Sequence, residues 1–344
     1  MIEVSVIITV YNYQCDEKIE VVFKGWRQQT INTEVILCEQ SVESNLQFVE
    51  MCKKYDVQYL HCKPDEINGE IKYNIGRVRN IAALCSRGKY LYFSDADIVV
   101  TNLNYLEILV KHAKIHDNVP LMRPFFRRLI ECDTNKFCNS FLHDESRICF
   151  NAKEYFCNSE FDSNSETIKK LSCGERYRMI NNVPYVSRKD YYDKVNSGLE
   201  NVEKNFDCWQ PAMHYGGLFC LFENFEKVGG YSEKYYNWGY EDIDLQWKFD
   251  EIVGIQIMDA AIKECSLIHF EHPSRRRNKQ YIENTNTFKA RKKIGQKRAI
   301  RDDINSNNSF IAAYMRNDKN EMSSLGVFDN IDKVRVKKCG RTIR

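Results

Sequence analysis

The sequence predicts an α/β fold: a mostly parallel central sheet flanked by helices, followed by a polar C-terminal helical tail. Three observations carry this. Short β-branched runs alternate with stretches of helical apolar spacing through the first hundred residues. The strand-like runs are apolar along their whole length, as in sheets covered on both faces. Polar side chains of chemical interest fall just past the strand ends, where such sheets bind ligands.

The elements follow in order. VSVIITV (4–10) is a continuous β-branched run and reads as a buried strand. A helical pattern covers roughly 16–29, and TEVILCE (33–39) is a second buried strand. FVEMCKKYDV is helical in spacing and VQYLHC is a short strand. IGRVRNIAALCSRG (75–88) has helical spacing and stops at Gly88. KYLYFSDADIVV (89–100) is a strand that runs into acids. Tyr11, Glu39 and the pair Asp95 and Asp97 thus each follow a strand, so a parallel sheet brings them to one crevice. Residues 123–210 are less regular and read as insertions around the site, and 211–280 form a second half of the same domain. Residues 281–344 read as a basic tail.

With 344 residues and 43% hydrophobic composition, the chain has the length for one large or two modest cores. A net charge of +2 excludes a chain built as a whole for polyanions. The 14 cysteines stand singly with no C-x-x-C pair, which excludes a zinc ribbon and predicts reduced thiols and a cytoplasmic setting. The first residues lack a signal-peptide pattern, and no apolar run reaches the ~18 residues of a membrane span. A membrane role is therefore expected to be peripheral only.

Four stretches carry chemistry. In FSDADIV, two carboxylates at i and i+2 stand at a strand mouth, where hard oxygens suit Mn²⁺ or Mg²⁺ shared with a diphosphate. A solvated strand end explains the same residues without function. In GRVRN, Arg77 or Arg79 is positioned to meet a phosphate or base, or is a surface arginine. The stretch from His214 to Phe249 holds Gly216–Gly217, which permit close backbone approach, and then NWGYEDIDLQW. Its acids Glu241, Asp242 and Asp244 suit the positive end of a helix. Trp238 and Tyr240 directly before them suggest instead a sugar stacked on an aromatic face, with a carboxylate taking a hydroxyl proton. Asp244 is read as helix-start charge. Finally, LIHFEHPSRRRN places His269 and His272 at a strand end, each a candidate third metal ligand.

At these residues the chain resembles GT-A fold glycosyltransferases, the nucleotide-diphospho-sugar transferase fold. VSVIITVYN is similar to the first strand of a large family of these enzymes, and GRVRNIAALCSRGKYLYFSDADIVV to its Arg-Asn helix and D-x-D strand. GGYSEKYYNWGYEDIDL with HPSRRRN resembles the galactosyltransferase-type C-terminal domain of β-1,4-galactosyltransferases and bacterial chondroitin-type polymerases. The resemblance covers roughly 4–100 and 214–280. It implies Thr9, Tyr11, Glu39, Arg79, Asp95 and Gly217 on the donor, and Asp97, His272 and Asp95 on the metal. Asp242 is implied as catalytic base, with Trp238 and Glu241 on the sugar. His272 aligns better than His269 because it precedes the basic, Asn-containing segment. Two departures touch the donor side: Thr9 stands where the family often has Pro, and EQSVES replaces an Asp-rich turn.

The expected protein is a Mn²⁺- or Mg²⁺-dependent inverting hexosyltransferase using a UDP-sugar and a glycan acceptor, in synthesis of a bacterial surface polysaccharide. A nucleotidyltransferase and a non-catalytic glycan-binding relative stay open. About eleven Lys or Arg lie between 275 and 301. With few interleaved aromatics they suit an anionic membrane face or assembly partner and not nucleic acid.

Overall fold

The structure is a computed structural model and describes residues 2–11, 13–122, 124–129, 131–143, 212–213, 216–257, 267–270 and 279–307. His272, the RRRN run and most of the 123–210 insertion lie outside them.

Strands β1 (Val4–Tyr11), β2 (Thr33–Gln40) and β3 (Gln58–Cys62) run parallel, with α1 (Glu17–Arg27) and α2 (Leu46–Lys54) between them. A hairpin, β4 (Asp65–Ile67) and β5 (Glu70–Lys72), leads to α3 (Ile75–Cys85) and then β6 (Tyr90–Asp95). β6 lies parallel to β1 on its other side, with Thr9 opposite Asp95. Next come β7 (Ile98–Val99), α4 (Tyr105–Ile115), β8 (Leu121–Met122), β9 (Phe125–Leu129) and α5 (Glu131–His143). After the insertion follow β10 (Ala212–Met213), β11 (Leu218–Leu221), α6 (Phe222–Lys227), α7 (Glu241–Ile252), β12 (Gln256–Ile257) and β13 (Leu267–Phe270). Helices α8 (Lys279–Ile294) and α9 (Gln296–Asp302) follow, and a π-helical turn, Asp303–Asn307, ends the described chain.

The main sheet has the order β12-β8-β11-β6-β1-β2-β3, and β7, β9, β10 and β13 form a second sheet. The expected α/β fold is present. The main sheet is mixed, because β11 enters antiparallel between β6 and β8. A four-residue strand that pairs with the two-residue β8 carries too little periodicity to be read from sequence.

The continuous apolar strands are buried on both faces, as their composition requires. Val4, Val6, Ile8 and Val10 join one core with Phe23, Trp26 and Leu109. Ile7, Ile36 and Cys38 join a second core with Ile81, Leu84, Phe225 and Phe249 on the opposite face. Side-chain oxygens of Asp16, Asn45 and Asn74 cap α1, α2 and α3 by accepting from backbone N–H groups. Cys15, Cys38, Cys52, Cys62, Cys85, Cys138 and Cys220 are free thiols. Among the described residues no helix is long and apolar enough to cross a membrane.

Candidate active site

β1, β2 and β6 end side by side, and Arg79 of α3 meets the end of β6 at Asp95. Its guanidinium is 4% exposed and forks between two carboxylates. Nη1 lies 2.6 Å from Asp242 Oδ1 and Nη2 lies 3.2 Å from Asp95 Oδ1. Glu241 Oε1 stands 3.9 Å away, and the guanidinium carbon sits 4.9 Å above the Tyr231 ring. Burial works against a charge here, but Asp242, Tyr231, Asp95 and Glu241 outweigh it and hold the Arg79 pKa well above its ordinary value. A single arginine therefore ties the D-x-D strand to the start of α7. Arg77, two residues away, faces outward from this site. It pairs with Glu233 and with Asp65 of the hairpin.

Helix α3 also joins the early and late parts of the chain. The Asn80 side chain makes a two-bond pair with the backbone of Tyr231, donating at 3.0 Å and accepting at 2.8 Å. Asn74 Nδ2 donates to Glu233 O at 2.7 Å. Gly76 allows the close approach: a Cβ there would lie 2.8 Å from Ser232 O. Further on, Asn237 exchanges two hydrogen bonds with the Tyr73 backbone. Tyr73 in turn packs its ring on Tyr11, with centroids 5.0 Å apart.

The turn before α7 is left-handed at three residues: Asn237 (φ 56°), Gly239 (φ 106°) and Tyr240 (φ 75°). A left-handed tyrosine costs about 1–2 kcal/mol. The winding aims the first residues of α7 at Arg79. Glu241 is buried and accepts from Gly239 N at 3.0 Å. Burial, and then the charge of Asp242, push the Glu241 carboxyl up to about 8. Asp242 is half-buried, and Trp238 is 38% exposed. Two carboxyls thus stand side by side in unlike settings, Glu241 buried and Asp242 half-buried on Arg79, the kind of contrast that separates roles in acid–base sites.

On the metal side, Asp97 Oδ2 lies 3.7 Å from His269 Nε2, because β13 pairs with β7 just beyond the D-x-D. A carboxylate and an imidazole facing one another are two donors of the kind that suit a divalent cation completed by phosphate oxygens. Among the described residues no three His, Cys, Asp or Glu side chains gather tightly enough to hold an ion alone.

The remaining expected residues divide. Thr9 and Tyr11 are half-buried at the end of β1. Gly217 is buried one residue before Leu218, which pairs with Phe93 of β6. Glu39 has a local task. Its carboxylate accepts from Ser41 Oγ at 2.7 Å, from Asn45 N at 3.1 Å and from the Tyr59 hydroxyl, and so shapes the loop after β2. Asp244 corrects the reading of it as helix-start charge. It is fully buried and takes Arg291 on both oxygens at 2.7 and 3.0 Å. Arg291 also holds Asp303 at 2.6 Å, and Asp303 holds Lys248 at 2.7 Å. Residues that the motifs did not single out are Tyr231 under Arg79, Tyr13, and the α8 residues Tyr281 and Asn284. Burial, then Asp97, Asp16 and Asp95, push the Tyr13 hydroxyl up.

Residues 5–132 match the model described as glycosyl transferase family 2. Residues 198–273 match the model described as N-terminal domain of galactosyltransferase. No curated protein matches the chain significantly. Among solved structures, S. aureus TarS 1-349 in complex with UDP-GlcNAc is 11% identical, with TM-score 0.47, covering 94% of this chain and 71% of that one. S. aureus TarS is 12% identical, with TM-score 0.46, covering 97% and 50%. The mannosyltransferase PcManGT from Pyrobaculum calidifontis, in complex with GDP-Man and Mn²⁺, is 12% identical, with TM-score 0.40, covering 94% and 72%. The two sequence matches meet on either side of Arg79, and with the mixed α/β sheet they give the chain a GT-A-like fold whose two matched segments resemble glycosyl transferase family 2 and the galactosyltransferase family.

Proposed function

We propose that the protein is a metal-dependent inverting glycosyltransferase that moves a hexose or N-acetylhexosamine from a UDP-sugar to a glycan hydroxyl. Bacterial surface polysaccharide synthesis is the proposed setting, at the inner face of the membrane. One observation carries the reading. The buried Arg79 fork, 2.6 Å from Asp242 and 3.2 Å from Asp95, brings the D-x-D strand within one guanidinium of the carboxylate that follows the W-G-Y-E turn.

Asp242 takes the proton of the acceptor hydroxyl as its oxygen attacks the anomeric carbon. The bond from that carbon to the diphosphate breaks as the new one forms, and the diphosphate leaves with both electrons. One displacement inverts the anomeric configuration. Thr9, Tyr11 and Gly217 line the donor crevice, and Arg79 faces the diphosphate end. Trp238 offers its ring to a sugar, and Glu241 backs the turn. Asp97 and Asp95, with His269 or His272, would hold the Mn²⁺ or Mg²⁺. When bound, that ion neutralises charge on the departing diphosphate.

The test is a panel of UDP-sugars with and without Mn²⁺, with products analysed by mass spectrometry. Transfer of a hexose with release of UDP supports the reading. A nucleotidylated product would identify a nucleotidyltransferase, and no turnover of any donor would leave a glycan-binding relative.

A further inference from the structure

Helix α8 lies beyond both matched sequence segments, yet its inner face is built around the turn that precedes α7. Tyr281, Asn284, Phe288 and Arg291 follow one another at helical spacing. The Asn284 side chain is 1% exposed, and its Nδ2 lies within hydrogen-bond range of three backbone carbonyls. These are Tyr236 O at 2.9 Å, Trp238 O at 3.2 Å and Gly239 O at 3.0 Å. Gln280 donates to Asn284 Oδ1 at 3.3 Å, which fixes the orientation of the amide. The Tyr281 ring stacks on Trp238 with centroids 5.3 Å apart and planes at 26°. It also meets Tyr240 at 5.3 Å, and Phe288 meets Tyr240 at 5.5 Å. A Cβ on Gly239 would lie 2.8 Å from the Tyr281 ring, so the glycine is what lets the ring close on the turn.

A turn with three left-handed residues persists only when its surroundings over-determine it. Here the surroundings are α8, which is itself locked to α7 by the buried Arg291–Asp244 pair. We propose that α8 belongs to the acceptor-binding machinery. Asn284 and Tyr281 are positioning residues that hold the 236–240 turn, and the ligand class they serve is a pyranose ring laid on Trp238. Asn284 fixes the backbone of the turn. Tyr281 backs one face of the indole and leaves Trp238 38% exposed for the sugar. This inference rests on the reading of Asp242 and Trp238 given above, and it adds residues that neither sequence match reaches.

The experiment uses the full chain and three variants: Asn284→Ala, Tyr281→Ala and Tyr281→Phe. Hydrogen exchange of the free protein is measured first. Asn284→Ala is expected to speed exchange of the amides at 237–242 about tenfold or more, with β1 and β6 unchanged. Kinetics follow with UDP-sugars as donors and methyl hexopyranosides as acceptors. Asn284→Ala and Tyr281→Ala are expected to lower kcat/KM for the acceptor by on the order of 10–10², the effect of a misplaced site. Affinity for UDP stays within about twofold. Tyr281→Phe keeps the ring and restores acceptor kinetics. Wild-type exchange at 237–242 together with wild-type acceptor kinetics would overturn the inference while leaving the glycosyltransferase reading intact. Faster exchange spread evenly over β1, β6 and α7 would also overturn it, since α8 would then be a general stabiliser. Faster exchange confined to 237–242 in Asn284→Ala, together with a wild-type protein that turns over no UDP-sugar, would uphold the positioning of the turn and remove the glycosyltransferase reading instead.

Discussion

Arg291 grips both oxygens of Asp244, at 2.7 and 3.0 Å, in a pocket that water does not reach. The same guanidinium binds Asp303, whose other partners are Lys248 and Ser232. Two acids and two bases balance, and the Tyr235 hydroxyl donates to Asp244 as well. Removing one member of such a network leaves a buried charge uncompensated, at about 3–5 kcal/mol. Asp244→Asn is therefore expected to be strongly destabilising in urea titrations, although it lies two residues from the proposed base. Wild-type stability of that variant would contradict the network.

The sequence made the first half of the fold legible and the support of the site illegible, for physical reasons. β1, β2 and β6 announce themselves because a strand buried on both faces must be apolar throughout. The pairing of Thr9 with Asp95 and the crevice at the strand ends follow from parallel order alone. Asp244 was illegible because an acid in the first turn of a helix looks the same whether it meets the dipole or an arginine 47 residues on. Asn284 was hidden for a similar reason. A polar residue inside a basic helix signals solvent until the helix is seen docked. What reads in sequence as a tail from 281 onward contributes Arg291 and Asn284 to the interior.

The metal side yields a ranking of histidines. The family resemblance implies His272, while His269 stands 3.7 Å from Asp97. Asp97→Ala and His269→Ala are each expected to weaken Mn²⁺-dependent UDP binding by roughly tenfold or more, the usual scale for a lost ligand or its close partner. Calorimetric titration of UDP with and without Mn²⁺ measures this. Weakening by His272→Ala alone would return the ligand to His272.

Glu241 gives a pH dependence of stability. Its carboxyl is raised from 4.5 to about 8, by burial first and the Asp242 charge second. Between these values the folded state binds more protons than the unfolded one, so this residue's contribution falls as pH rises from about 4.5 to 8. Glu241→Gln keeps an acceptor for Gly239 N and cannot ionise. Its Tm advantage over wild type is expected to widen from pH 5 to pH 9, by about 2–4 °C per kcal/mol of lost penalty. Parallel melting curves across that range would contradict the assignment.

The outer faces of α8 and α9 expose Lys289, Lys292, Lys293, Lys297, Arg298 and Arg301, and residues 284–301 contain no acid. Each such cation contributes about 1 kcal/mol near an anionic leaflet. The protein is expected to sediment with vesicles containing anionic lipid at low salt and to be released at high salt. Replacing Lys289 and Lys293 by Glu should abolish this. Equal binding to neutral vesicles, or none at low salt, would contradict a peripheral membrane role.

Asp242 carries the central prediction. Its Oδ1 is ion-paired to Arg79, the carboxyl of its neighbour Glu241 is pushed up by burial, and the turn before it has three left-handed residues. Asp242→Asn keeps the size of the group and a hydrogen-bonding oxygen for Arg79, and removes the basic lone pair. Affinity for UDP should stay near wild type, while turnover falls by on the order of 10²–10⁴, the worth of a positioned general base. Arg79→Lys should harm both, because an ammonium cannot fork between Asp242 and Asp95. The product should carry the anomeric configuration opposite to the donor, since a single displacement leaves no covalent intermediate. Retention in the NMR spectrum of the product, or normal turnover by Asp242→Asn, would reduce Asp242 to an acid at a helix start whose task is to hold Arg79.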